Sequence, residues 1–280
     1  MIRLKEIRKH IYVTGVVTTM VGALGFSLEN LSAEELTTPS KTSIVAASLE
    51  ASQWQQLETG LQAIKAMTES GVALTAFKIS PENFTFSIAL QDDASGSRAK
   101  TVGEQQGAVV IANAGFFATK DDGELYSVGY LRLNTNVISK GWPSSGGVLS
   151  LKEDGLQLTP SQDGLPEGEF DVLQSKPMLI EPNGKWAMGS NAGSAKPRTI
   201  LCTLSNGDVI LATVTRAGLT LFEAGWLMRS KAEGGFFGCD AALAFDGGRS
   251  TQMWYSGDEK YSSNGISPVH NFFVVRQKED

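Results

Sequence analysis

The chain has 280 residues, 24 Lys and Arg against 30 Asp and Glu, a net charge of −6 and 41% hydrophobic residues. That size and apolar content suit one main domain with a sizeable core and exclude an intrinsically disordered chain. The acidic balance speaks against a nucleic-acid partner, which calls for a basic stripe.

At the N-terminus Arg3, Lys5, Arg8 and Lys9 precede an apolar run over 11–26, with small residues at Ala23 and Gly25. Residues 1–25 therefore read as a signal peptide or an uncleaved signal anchor, and the protein is expected outside the cytoplasm: periplasmic, extracellular or anchored facing outward. A membrane enters only through such an anchor. Residues 27–43, polar and interrupted by Pro39, read as a linker. Leu49, Trp54, Leu57, Leu61, Ile64 and Met67 then recur at roughly helical spacing, which predicts an amphipathic helix over 48–67. Linker and helix together occupy 26–70, and the main domain is expected over 71–276.

Strand signals follow at 72–79, 84–90, 107–112, 126–133, 147–151, 168–173, 199–204, 208–215 and 272–275, with Asp-Gly or Asn-Gly turns recurring between them. One helix stands out at 220–229, with Leu221, Phe222, Trp226 and Leu227 for burial and Glu223 in its first turn. The expected fold class is α+β: a hairpin-rich mixed or antiparallel sheet packed with a few helices in a single main domain.

Histidine occurs only at positions 10 and 270 and cysteine only at 202 and 239, so no HExxH or cysteine-rich metal set can be built. No P-loop, G-x-G-x-x-G or G-x-S-x-G motif is present, and no cofactor or metal is expected. An exported chain could pair Cys202 with Cys239, but their apolar surroundings favour two free, buried thiols.

The chemistry that remains sits where apolar strands end. In 241–254, an apolar run delivers Asp246 into Gly247 and Gly248, followed by Arg249, Ser250 and Thr251. Such a corner offers backbone N–H groups to an anionic or polyhydroxylated ligand. It also reads as an ordinary Asp-Gly hairpin turn with 250–255 as the returning strand. Asn113 and Gly115 follow a second apolar run, where a turn or capping asparagine is the plainer alternative. Arg198, stiffened by Pro197, can grip a phosphate or stand as a surface arginine. His270, beside Asn271, is either a pocket residue or a structural one.

Asn113-Ala114-Gly115-Phe116-Phe117, Ser175-Lys176-Pro177, Pro197-Arg198-Thr199, Gly218 to Ala224, Asp246 to Thr251 and Pro268 to Asn271 occur in the order and approximate spacing of phosphodiester glycosidase domains, which the chain resembles over about 72–276. The resemblance implies hydrolysis of a sugar-1-phosphodiester, releasing the sugar, in a cell-envelope or exopolysaccharide setting. It implies Asp246, Glu223 and Arg198 as catalytic residues, and Asn113, Gly115, Gly247, Gly248, Arg249, Ser250, Thr251 and Asn271 as substrate-binding residues. A phosphate leaves more readily than an alcohol, so such an enzyme needs anion stabilisation more than a general acid. Asp246 serves as nucleophile, base or stabiliser of the sugar cation. Glu223 is the second carboxylate, or simply the acid that starts a helix. The chain departs from many relatives at Arg249 and Lys176, where they carry small residues; either cation could add phosphate affinity or narrow the pocket. A glycan-binding protein that keeps the pocket without the chemistry is the alternative function, and a metal-dependent phosphate-ester hydrolase is a third.

Overall fold

Runs such as 209–214 and 241–244 are apolar at nearly every position, which in a strand means that both faces are covered. The computed structural model describes residues 38–279 apart from 92–93, 143–144 and 154, so the leader expected over 1–25 lies outside the described residues. Both runs fall in an eight-stranded sheet, in the order Gln55–Glu58, Leu61–Met67, Val72–Ile79, Val209–Leu219, Lys196–Thr203, Ala241–Ala244, Met178–Glu181 and Lys185–Trp186. Every neighbouring pair in it is antiparallel.

Side chains alternate across this sheet. Phe77, Leu201, Leu211 and Leu243 enter one core, while Ile200, Cys202, Ile210 and Ala242 enter another on the opposite face. Two smaller sheets close the first core. One has the order Met253–Tyr255, Val110–Asn113, Asn271–Gln277 and Phe84–Leu90, and contributes Val110, Phe273 and Val275. The other has the order Gly155–Pro160, Gly147–Lys152, Asp171–Ser175, Tyr130–Leu133 and Asn136–Lys140, and contributes Leu149, Leu151 and Leu173.

The α-helices among the described residues are α1 (Ser40–Ser52), α2 (Ala99–Gln106) and α3 (Leu221–Met228). Val45 and Leu49 of α1 join Leu227 and Met228 of α3 over the second core. Helix α2 packs behind the four-stranded sheet, where Ala99 and Val102 meet Ile111, Phe272 and Val274. Gly103 lets it approach, because a Cβ there would lie 2.3 Å from the Trp254 ring. The class is α+β and sheet-rich, as expected.

Three sequence expectations fail for identifiable reasons. The helix expected over 48–67 is instead the end of α1 followed by two strands, turned at Gly60 with φ 74°. Leu61 and Ala63 enter the first core and Ile64 and Ala66 the second; a strand buried on both faces loses its alternation, and the result imitated helical spacing. The cysteines expected as free thiols form a disulfide, Cys202–Cys239, with Cα atoms 5.8 Å apart. Cys202 pairs in register with Ala242, and the Asp240 N–H bonds to Thr203 O at 2.7 Å, so neighbouring strands bring together residues distant in sequence. The hairpin alternative for Asp246 fails as well: Ala241–Ala244 lies in the eight-stranded sheet, whereas Met253–Tyr255 pairs with Val110–Asn113 in the four-stranded one.

Candidate active site

Asp246 sits where the chain leaves one sheet for another. The Ala244 N–H bonds to Pro177 O at 3.0 Å and the Phe245 N–H to Thr199 O at 2.9 Å, still within reach of the large sheet. The next N–H, that of Asp246, bonds at 2.9 Å to Ala114 O, beyond the end of Val110–Asn113 in the four-stranded sheet. Gly247 then passes so close to the Pro197 carbonyl that a Cβ would lie 2.9 Å from its oxygen. Gly248, at φ 64°, opens a 3-10 turn over Gly248–Ser250.

Asn113 fixes this crossing. Its Nδ2 donates to Asp246 O at 2.7 Å, and its Oδ1 accepts from Thr199 Oγ1 at 2.7 Å and from the Gln252 N–H at 3.0 Å. With 1% of its surface exposed, its amide is committed to bracing the corner and not offered to a ligand. Gly115 and Asn271 are likewise turned inward. The Gly115 N–H donates to Asn271 Oδ1 at 2.6 Å, and Asn271 Nδ2 donates to Ser127 Oγ at 3.4 Å.

A 650 Å³ cavity opens over Asp246, Gly247, Gly248, Arg249 and Ser250, walled by Phe116, Leu221, Phe245 and Ile266 and lined by Lys176, Lys196, Pro197 and Arg198. This volume lies in the range of small-molecule clefts, ~300–1,000 Å³. Four cations, Lys176, Lys196, Arg198 and Arg249, and one carboxylate line the cavity. Burial raises the Asp246 carboxyl above its usual range, and hydrogen bonds from the Ser250 side chain and the Gly247 N–H, the latter 2.8 Å from Oδ1, partly oppose this. The Gly247 N–H is thus turned to Asp246 itself.

Arg198 is held by two carbonyls: Nε donates to Leu219 O at 2.9 Å and Nη2 to Ser194 O at 3.0 Å. Its Nη1 lies toward Gly247, 3.8 Å from where a Cβ there would stand. Burial lowers its pKa, and the charge of Glu223 opposes that shift. Arg249 donates from Nε to Ser267 Oγ at 3.2 Å, and its carbonyl accepts the N–H groups of Ile266 and Ser267, both at 3.0 Å.

Other expected residues stand apart from the cavity. Glu223 completes a capping box at the start of α3, with Oε2 accepting from the Thr220 N–H at 2.8 Å while its own N–H bonds to Thr220 Oγ1 at 3.1 Å. It is 9% exposed and does not line the cavity. Thr251 is buried behind the turn. His270 lines a separate 550 Å³ cavity with Lys120, Glu124 and Lys140, where burial lowers its pKa. Sequence reasoning passed over Lys196 and the wall residues Phe116, Leu221 and Ile266 as site residues. Lys196 was within reach of it, standing two residues before Arg198 on one strand.

Fold and site together define a sheet-rich α+β protein that presents one half-buried carboxylate to a cation-lined cleft, an arrangement suited to an anionic ester. The chain matches the family described as phosphodiester glycosidase over residues 106–276 and belongs to that family. Two solved structures share the fold. A hypothetical protein from Synechocystis aligns with TM-score 0.60 and 13% identity, over 81% of this chain and 64% of its own. This chain therefore spans less than two thirds of that protein. The catalytic domain of zebrafish N-acetylglucosamine-1-phosphodiester alpha-N-acetylglucosaminidase, auto-inhibited by its pro-peptide, aligns with TM-score 0.60 and 12% identity, over 80% of this chain and 86% of its own. No curated protein sequence matches.

Proposed function

We propose that this protein is an exported hydrolase that cleaves the bond between a sugar anomeric carbon and a phosphodiester, acting on cell-envelope or exopolysaccharide glycans. The observation that carries this reading is the meeting of Asp246 with four cations in one cavity, within a chain that belongs to the phosphodiester glycosidase family. Arg198, with Gly248 beside it, receives the phosphate and stabilises its charge as the bond to the sugar breaks. Asp246, raised in basicity by burial, takes the proton of the attacking water and faces the developing positive charge on the sugar. Because phosphate leaves as a stable anion, a second carboxylate to protonate it is unnecessary. That agrees with Glu223 being committed to its helix cap.

Export is supported by the basic and apolar leader and by the Cys202–Cys239 disulfide, a bond that persists in oxidising compartments. The test is to offer the purified protein a panel of sugar-1-phosphodiesters and measure free sugar, with Asp246→Asn as control. Turnover that Asp246→Asn abolishes supports the reading. Tight binding without turnover, in wild type as in the variant, replaces it with the glycan-binding alternative.

A further inference from the structure

Four cations line the Asp246 cavity, and each arrives on a segment tied to that corner. Lys176 lies between Ser175, whose hydroxyl donates to Ala244 O at 2.7 Å, and Pro177, whose carbonyl accepts the Ala244 N–H. Lys196 and Arg198 open the strand whose Thr199 carbonyl accepts the Phe245 N–H. Arg249 belongs to the 3-10 turn itself. None of the four forms an ion pair among the described residues. Lys176 instead sets its Nζ 4.2 Å from the centre of the Trp142 ring, and Arg249 is oriented by Ser267. Unpaired like charges gathered in one cavity repel each other until an anion arrives. Asp246 and a single phosphodiester carry one negative charge each, against four cations in the lining of one open cavity, where Arg198 is half-buried and Lys176, Lys196 and Arg249 are exposed.

We propose that the cavity holds two adjacent phosphate groups, so that the substrate of the hydrolase proposed above is a sugar joined through its anomeric oxygen to a diphosphate ester. This rests on that reading and specifies its substrate class. Arg198 and Gly248 hold the phosphate next to the sugar; Lys176 and Arg249 hold the second. In the reaction, the bond from the anomeric carbon to the bridging oxygen breaks, and its electron pair stays with the diphosphate. Water oxygen bonds to the anomeric carbon, keeps one proton as the new hydroxyl and gives the other to Asp246, which releases it to solvent. The diphosphate charge is spread over both groups, so the second pair of cations stabilises the leaving group as well as the bound ester.

The test separates the anion site from turnover. Calorimetry on the purified full chain without added metal measures inorganic phosphate and inorganic pyrophosphate. Pyrophosphate is expected to bind at least tenfold more tightly. Lys176→Gln and Arg249→Gln should each weaken pyrophosphate by about 10-fold or more, the scale of one charge-assisted hydrogen bond, and leave phosphate within threefold. Circular dichroism and thermal melts establish that both variants fold. Equal affinity for the two anions, or an equal loss of both in the variants, overturns the proposal. Turnover assays then compare a nucleoside-diphosphate sugar, a prenyl-diphosphate sugar and a sugar-1-phosphodiester of methanol. Faster cleavage of either diphosphate supports the proposal and tells which source is used. Efficient cleavage of the methyl phosphodiester, unaffected by Lys176→Gln and Arg249→Gln, overturns it while leaving the hydrolase reading intact. Pyrophosphate selectivity with no cleavage of any ester leaves the two-phosphate site standing and removes the hydrolase reading.

Discussion

Replacing Asn113 by alanine removes the brace that holds Asp246 between two sheets. The side chain makes three hydrogen bonds, to Asp246 O, Thr199 Oγ1 and the Gln252 N–H, in a position 1% exposed. The Thr199 hydroxyl can rotate to another acceptor, but the Asp246 carbonyl and the Gln252 N–H are fixed backbone groups. Each buried polar group left unsatisfied costs ~1–3 kcal/mol, so the pair sets an expected loss of ~2–6 kcal/mol. At the ~2–4 °C per kcal/mol typical of 150–250 residues, a central loss of ~4 kcal/mol lowers the melting temperature by ~8–16 °C. Urea unfolding followed by circular dichroism, with wild type and variant at one pH, reads the difference directly. Asn113→Asp is expected to be at least as damaging, because it turns the donor facing the Asp246 carbonyl into an acceptor. A loss below ~1 kcal/mol for Asn113→Ala would refute the claim that this amide holds the corner, and would return Asn113 to the substrate-binding role.

Asp246→Asn should lower kcat/KM by ~10²–10⁴-fold, the range of a positioned acid or base. The same variant should be more stable than wild type at neutral pH. A carboxyl raised by burial contributes stability that is fully present below its unfolded value of ~3.9 and is lost as pH rises through its folded value. Melts at pH 7 and pH 3 should therefore show a gain that fades on acidification, and a variant no more stable at pH 7 would count against the burial of the charge. In wild type, the acid limb of kcat/KM should lie above the ordinary aspartate range; a limb at or below pH ~3.9 would contradict this. Removing both cysteines by Cys202→Ala with Cys239→Ala should cost ~4 kcal/mol from the loop closed across 37 residues, measured by denaturant unfolding. Glu223→Gln keeps a residue able to complete the helix cap and should cost less than ~10-fold in kcat/KM, whereas a second catalytic carboxylate would show a loss of ~100-fold or more.

The parts of the molecule legible in the sequence were those whose cause is local. Glu223 in a first turn and Leu221, Phe222, Trp226 and Leu227 for burial marked a helix over 220–229, and α3 spans Leu221–Met228. Val72–Ile79 and Phe84–Leu90 lie at the expected positions, joined through a turn whose Phe84 N–H bonds to Ser80 O. The strand Leu61–Met67 was not legible, because burial on both faces erased the alternation that distinguishes strand from helix. The disulfide was hidden for a different reason: its geometry depends on the register between Lys196–Thr203 and Ala241–Ala244, a relation across the sheet that no spacing records. The candidate site divides along the same line. Asp246, Arg198 and the glycine pair were marked by type and position. The inward commitment of Asn113, Gly115 and Asn271 required their partners to be in view.

That division explains why a motif set so widely scattered converges. Asp246 takes its N–H partner from Ala114, its carbonyl partner from Asn113, and the companion cations from segments bonded to Ala244 and Phe245. The carboxylate is therefore not placed by its own strand alone but by the angle at which two sheets meet. Displacing either sheet would move Asp246 relative to Arg198, since Arg198 is fixed to Leu219 and Ser194 on the side of the large sheet. A small repacking in the core shared by Val110, Ala112, Leu201 and Leu243 should thus change kcat/KM in the assay of sugar-1-phosphodiesters without touching the cavity, because those residues lie between the sheets that carry Asp246 and Arg198.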